Sequence, residues 1–453
     1  MIDPRVAGGL RDLPPALSIP RERMLAGFRR VFAGFGYTPI ETPHIERLEV
    51  LTGKGAGSEE VLRQIFEVTN KGGTPGELAL RFDLTVPLAR FIAKHVDQLG
   101  VPFKRYAIGS VFRGERPAKG RFREFTQCDF DTVGTESPVA DAETAQVIHD
   151  ALSSAGEPPF TIALNHRGIL DGLLETLGAL PRAGAVLRVL DKYQKIGREG
   201  VLKEWTDSSA GEPILSAGAA ESVLAFAERG RGGSEVLEGL DPRLAESPRA
   251  VRGIDTLRQV LNLLDAGGVP AESRVIDLGL ARGLDYYTGV VFETTVNGWE
   301  RFGSVASGGR YDNLAGLFTA RKLPGVGASI GLDRLLALLE EAGRLPESAS
   351  MAPVLVAQFP GVDPALGVNL AHRLRMAGIG AEVFPDPIQV GKQMGYGSSR
   401  GHRIAVIVGP AEVEKGVCNL RDLATRKERR EIPWGDVETA VLHALTSSEE
   451  PTE

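Results

Sequence analysis

Cysteine is nearly absent from this 453-residue chain, which carries only Cys128 and Cys418. Two thiols cannot build a disulfide framework or a four-thiolate zinc site, and at most they form one bridge. They read as free thiols in a reducing compartment, so a cytoplasmic protein is expected. No stretch of about 18 uninterrupted apolar residues occurs, so no membrane-spanning helix is expected. The N-terminal MIDPRVAGGLRDLPP has charges and prolines but no apolar core, and no secretory signal is expected from it. Positive charge is not in excess: 52 Lys and Arg against 59 Asp and Glu leave a formal −7. That excludes a uniformly basic nucleic-acid-binding surface while leaving room for local patches. No Ser/His/Asp or Cys/His set stands out, and there is no internal repeat. What is plentiful is glycine, with 55 residues clustered in loops and no collagen-like period. The 42% hydrophobic and 25% charged content is that of a globular protein, and the length suits roughly two to four domains.

Periodicity organises the chain. Residues 20–36 carry Met24, Phe28, Val31, Phe32 and Phe35 at helical spacing, with Pro20 in the expected first turn and Gly36 as the stop. A short strand follows at 37–40, and helices are predicted over 84–97 and 138–155. Between them, KRYAIGSVFR and REFTQCDFDTVG read as two strands joined by the polar loop GERPAKGRF. Residues 169–272 are rich in Leu, Ala, Gly and Glu at helical spacing and read as a mostly helical insertion. Strand signals return at RVIDLGL and VVFETTV, and a helix is predicted over 328–343. Residues 344–352 look like a linker. Beyond it, PVLVAQF, AEVFPD and RIAVIVG alternate with two helical patterns, the signature of a small α/β domain with a largely parallel sheet. The tail SSEEPTE is polar and expected to be disordered.

Four constellations carry chemistry. From Val101 to Phe130 there are seven Lys/Arg and three Asp/Glu, a local +4 around Arg113, Glu115, Arg116, Lys119, Arg121 and Arg123. Arginine forks on a loop between strands suit phosphate oxygens. On the exit strand Gln127, Asp129 and Asp131 share one face by the period of two, with Cys128 and Phe130 on the other. A polar face beside a cationic loop reads as a pocket wall. The second string, Arg282-Gly283-Leu284-Asp285-Tyr286-Tyr287, mixes a cation, a carboxylate and two aromatics just after a strand. The third is Ser307-Gly308-Gly309-Arg310-Tyr311-Asp312, followed by a glycine-spaced run that delivers Arg334 on the first turns of a helix. The fourth is Arg81-Phe82-Asp83-Leu84-Thr85, where Asp83 or Thr85 either caps the next helix or holds an ammonium group.

Taken in order, these strings resemble the histidyl-tRNA synthetase family of class II aminoacyl-tRNA synthetases. Residues 36–43 resemble the dimerisation motif of the class. Phe112 to Glu115 with 123–125 resembles its second motif and 327–334 its third, while RGLDYY and SGGRYD are the histidine-specific signals. The resemblance implies an α/β protein: an α+β catalytic domain on an antiparallel sheet over 1–345, with the insertion at about 169–272, and an α/β anticodon-binding domain over 346–453. It implies ATP as substrate with Mg2+, histidine and tRNA(His) as partners, a homodimer, and no membrane role. By resemblance Arg113 holds the ATP α-phosphate, Glu115 the adenine amino group and Arg121 the distal phosphates, while Arg334 stacks on adenine. Asp83 and Thr85 contact the histidine α-amino group, Gln127 lies near its backbone, and Asp131 with Tyr286 and Tyr287 belongs to the histidine site, Asp131 and Tyr287 flanking the imidazole. Arg282 sits by the carboxylate and α-phosphate and, with Arg113, is the expected catalytic cation. The magnesium ligands stay unassigned. Carboxylate attack on phosphorus needs positioning and charge stabilisation rather than a protein nucleophile, which agrees with the missing triad.

Overall fold

The computed structural model describes residues 2–53, 63–156, 158–209, 211–281, 287–312, 314–345 and 349–446. They form two units: Met1–Arg11 with Arg23–Gly343, and Asp12–Glu22 with Arg344–Glu453. Among the described residues no helix is long and apolar enough to cross a membrane.

The first unit is built on a nine-stranded sheet. In chain order its strands are β1 (Thr38–Pro39), β2 (Phe103–Phe112), β3 (Glu124–Val133), β4 (Phe160–His166), β5 (Arg231–Gly232), β6 (Arg274–Asp277), β7 (Val290–Val296), β8 (Ala306–Tyr311) and β9 (Gly325–Gly331). Their spatial order is β1-β2-β3-β9-β8-β7-β4-β6-β5. The six strands from β2 through β4 in that order pair antiparallel without a break. β1 adds to β2, and β6 to β4, in parallel. The basic loop is thus the connection of one long hairpin, as its sequence predicts.

One face of this sheet is covered by helices and the other carries Gln127, Asp129 and Asp131, because alternate residues point to opposite faces. On the covered face Phe130 meets Phe32 of α1 (Pro15–Gly34) at 5.2 Å between ring centroids, and Tyr106 meets the same ring at 5.3 Å. Helix α1 begins five residues before the predicted start: Leu17 and Ser18 donate backbone N–H bonds to Pro14 and open it, so Pro20 lies inside it. Helix α2 (Thr85–Leu99) buries Leu88, Ile92 and Val96, and α3 (Pro138–Ser154) starts on Ser137, whose side chain accepts from Val139 N–H. Helix α4 (Leu332–Glu341) starts four residues later than predicted. Residues 325–331 extend as β9 because their small side chains fit a central strand between β3 and β8.

The stretch between β4 and β6 is mainly helical: Arg167–Thr176, Ala183–Leu190, Tyr193–Thr206, Ala217–Ala227 and Pro248–Ala266. It has its own anchor in Trp205, fully buried and donating its indole N–H to Val186 O at 3.2 Å.

The second unit carries a five-stranded sheet of β10 (Val354–Val356), β11 (Ala381–Val383), β12 (Ile404–Ile407), β13 (Val417–Asp422) and β14 (Glu428–Pro433), ordered β11-β10-β12-β13-β14. The first three are parallel, as expected, but β13 and β14 add antiparallel. The sheet is therefore mixed. β14 eluded the pattern because it is an exposed, charged edge strand in which only Ile432 is buried. Val354, Val356, Leu370, Leu374, Ile404 and Val406 lie at the centre of the core.

Candidate active site

The register of the antiparallel strands makes a trough on the uncovered face of the first sheet. On β3, Gln127, Asp129 and Asp131 stand in a row. Across β2 they face Gly109, Ala107 and Arg105; across β9 they face Gly331, Ser329 and Gly327. Five of those six neighbours are Gly, Ala or Ser, so the polar row has no large side chain beside it except Arg105. The small residues are required. A Cβ at Gly327 would lie 2.3 Å from Asp131 Oδ1, and one at Gly309 would lie 2.9 Å from the ring of Tyr287.

The charges in the trough are desolvated and partly matched. Arg105 is fully buried and donates through Nη2 to Asp131 Oδ2 at 2.6 Å. Asp131 Oδ1 accepts from the hydroxyl of Tyr311 at 2.7 Å. Burial raises Asp131, and the Arg105 charge and the Tyr311 bond pull it back. Asp129, between Gln127 and Asp131, is pushed up to about 7 by burial, against the pull of Arg105. Gln127 donates to Ser329 Oγ at 3.0 Å. Asp83 is both a cap and a free acceptor. Its Oδ1 accepts from Val86 N–H at 3.1 Å in the first turn of α2, while its buried Oδ2 has no partner. Burial pushes it up to about 6, with the Val86 bond and the Arg113 and Arg105 charges opposing. Asp129 Oδ1 and Gln127 Oε1 are likewise buried without a partner. Buried acceptors without donors are costly and mark a place for a ligand that brings them. Thr85 opens α2 half-buried, two residues from Asp83.

The cationic residues stand at the hairpin end. Arg113 donates Nε–H to Phe82 O at 3.0 Å and lies over the ring of Phe125 at 5.1 Å. Glu115 and Arg121 face each other at 3.9 Å across the loop. Arg334, in the first turn of α4, donates to Ser304 O. Tyr287 packs beside Tyr311 and Ala89, and also against Leu280 and Val291. Arg282 and Tyr286 lie outside the described residues. Among the described residues no three His, Cys, Asp or Glu side chains gather as a ready-made metal site.

Two groups of the SGGRYD string part company by parity. Tyr311 reaches the trough, but Arg310 points to the covered face, where its Nε and Nη2 bind Asp141 of α3 at 2.9 and 3.0 Å. Both partners are buried. The sequence sets Asp129 on the polar wall and Tyr311 in the SGGRYD string without a role for either, and it does not point to Arg105 or Ser329. The period of two pointed to Asp129, whereas Arg105 and Ser329 need the cross-strand register to be seen.

A family model described as histidyl-tRNA synthetase matches residues 9–335, and one described as anticodon binding domain matches 365–443. The chain belongs to the histidyl-tRNA synthetase family. A histidine–tRNA ligase of Rhodopirellula baltica is 48% identical over 449 residues, 99% of this chain and all of that protein. One of Wolinella succinogenes is 42% identical over 96% of this chain and 95% of its own. Among solved structures, a histidyl-tRNA synthetase from a Nostoc species superposes with a TM-score of 0.87 at 32% identity, covering 98% of this chain and all of that one. Membership makes the chain a class II aminoacyl-tRNA synthetase, a ligase, with the antiparallel sheet and the C-terminal anticodon-binding domain expected for it.

Proposed function

We propose that the chain activates histidine with ATP and transfers it to tRNA(His). The histidine carboxylate attacks the α-phosphorus and pyrophosphate leaves. A hydroxyl of the tRNA 3′-terminal ribose then attacks the histidyl carbonyl and AMP leaves. The observation that carries this reading is the trough itself, with the buried, unpartnered oxygens of Asp83, Gln127 and Asp129 beside a cationic hairpin. An amino acid brings the missing donors, and ATP brings the phosphates.

In this reading Asp83, Thr85 and Gln127 receive the histidine α-ammonium and backbone. Asp131, held by Arg105 and Tyr311, reads the imidazole with Tyr287, and Tyr286 belongs to the same site. Arg113 and Arg282 carry the developing charge on the α-phosphate. Glu115 and Arg334 hold adenine, and Arg121 the distal phosphates. Mg2+ would enter with ATP, held mainly by phosphate oxygens and water, and would neutralise phosphate charge. Residues 1–345 are assigned to catalysis, with the insertion at about 169–272, and 346–453 to the anticodon. From Pro353 to His443 there are eleven Lys/Arg against ten Asp/Glu, a balance that suits stacking and edge hydrogen bonds to unpaired bases. The working form is a homodimer in the cytoplasm. The test is charging: purified protein should esterify tRNA(His) with histidine. A protein cut after residue 345 should lose charging far more than histidine-dependent pyrophosphate exchange. Equal loss of both would remove the anticodon role from 346–453.

A further inference from the structure

The segment before α1 is joined to both walls of the proposed ATP site. Arg123 closes the basic loop, and its backbone N–H bonds Gly9 O at 2.9 Å while its Nη1 bonds Gly8 O at 3.0 Å. The same Arg123 reaches back to Glu115 O at 3.4 Å, and its carbonyl accepts from Arg113 N–H at 2.8 Å. Gly9 sits at φ +85°, and a Cβ there would fall 2.7 Å from Arg123 Cδ and 2.9 Å from Pro117 Cγ, so any side chain would be strained and would push Arg123 or Pro117 aside. Two residues on, Arg11 crosses to the other wall. Its Nη2 bonds Asp333 Oδ1 at 2.6 Å, and its guanidinium lies 4.0 Å from the centroid of Phe122. Asp333 precedes Arg334, and its second oxygen accepts from Thr126 N–H at 2.6 Å, one residue before Gln127. Arg11 and Asp333 are both largely buried, at 18% and 8% side-chain exposure. The rest of the segment is not: Ile2 is 96% exposed and Val6 48%.

We propose that Gly8 to Arg11 form a clasp that fixes the hairpin loop against the first turn of α4, and so sets the spacing between Arg113 and Glu115 on one side and Arg334 on the other. Gly9 and Arg11 are positioning residues for ATP; they touch no substrate. The loop is exposed from Arg116 to Lys119; it also meets α4 through buried Gly120, beside Arg334, and through the Lys119–Glu341 ion pair, and the clasp adds to these contacts. A charge-assisted pair and a cation–π contact, both partly desolvated, can hold it. The clasp leaves the histidine trough untouched apart from the Thr126 bond, so its loss should register on one substrate and not the other.

The inference rests on the ATP-site assignment above, and one experiment separates the two. Histidine-dependent ATP–pyrophosphate exchange is measured with the full chain, varying ATP and histidine in turn, for wild type, Arg11→Ala, Arg11→Lys and Gly9→Ala. Arg11→Ala and Gly9→Ala are expected to raise the KM for ATP about ten-fold or more, with the KM for histidine within about two-fold of wild type. Arg11→Lys should be intermediate, since a lysine keeps the charge for Asp333 but loses the planar contact with Phe122. The unfolding temperature of Arg11→Lys, the mildest change, should stay at the wild-type value. A KM for ATP unchanged in Arg11→Ala, or KM values for both substrates rising together, overturns the clasp. Absence of exchange in wild type strikes the ATP-site assignment instead.

Discussion

Asp83 offers a test in which stability and activity move in opposite directions. Its carboxyl is buried at the N-terminus of α2, with one oxygen bonded to Val86 N–H and the other unpartnered. Burial raises it from an ordinary 3.8 to about 6. A carboxyl whose folded value is raised favours the protonated folded state. Its contribution to stability therefore falls as pH rises from near 4 to near 6 and stays low above that. Two pH units correspond to about 3 kcal/mol. Asp83→Asn cannot ionise, and its amide oxygen can still accept from Val86. An unpaired buried NH2 costs about 1–3 kcal/mol at every pH, so it cancels from a comparison between pH values. Urea unfolding of the ligand-free protein at pH 4 and pH 8 should show the variant gaining about 3 kcal/mol on wild type between the two. The same variant lacks the anion that receives the ammonium, a charge-assisted bond of about 1.5–3 kcal/mol, so the KM for histidine should rise about 10- to 100-fold. A stability difference that is flat with pH, or an unchanged KM for histidine, would refute the reasoning.

Three further outcomes follow from the same geometry. The KM for histidine in wild type should fall as pH rises through about 6, because Asp83, pushed up to about 6 by burial, must ionise to hold the ammonium; a KM that rises over this range contradicts that role. Arg310→Met should lower unfolding stability by about 3–5 kcal/mol by leaving Asp141 buried without its partner, with denaturant unfolding as the measure. Arg282→Ala should abolish histidyl-adenylate formation while leaving the unfolding curve in place, and adenylation at the wild-type rate would remove Arg282 from the catalytic set.

Much of this was legible because periodicity and burial coincide. In the hairpin from Phe103 to Val133, Gln127, Asp129 and Asp131 fall at a period of two on the exit strand, and that row lines the trough. The helices over 138–154 and 85–99 are close to where their apolar spacing put them. The misses have physical causes. β9 reads as the approach to a helix because a strand of Gly, Ala and Ser has no β-forming side chains. It is a strand because two neighbours pair with it and because Asp131 needs the empty space at Gly327. Arg310 and Tyr311 sit side by side in sequence, and only the pleat sends one to Asp141 and the other to Asp131. The pairing of Arg105 with Asp131 spans 26 positions and depends on the register of the hairpin, which its loop length alone does not reveal. The join of Arg11 to Asp333 spans most of the chain and leaves no local trace in composition.

The central claim is that the trough and the cationic hairpin together make histidyl-adenylate. Histidine-dependent exchange of labelled pyrophosphate into ATP by the purified chain measures this without tRNA. The account predicts exchange that saturates with histidine and is absent with each of the other standard amino acids. No exchange at saturating histidine and ATP, or equal exchange with a second amino acid, would contradict it.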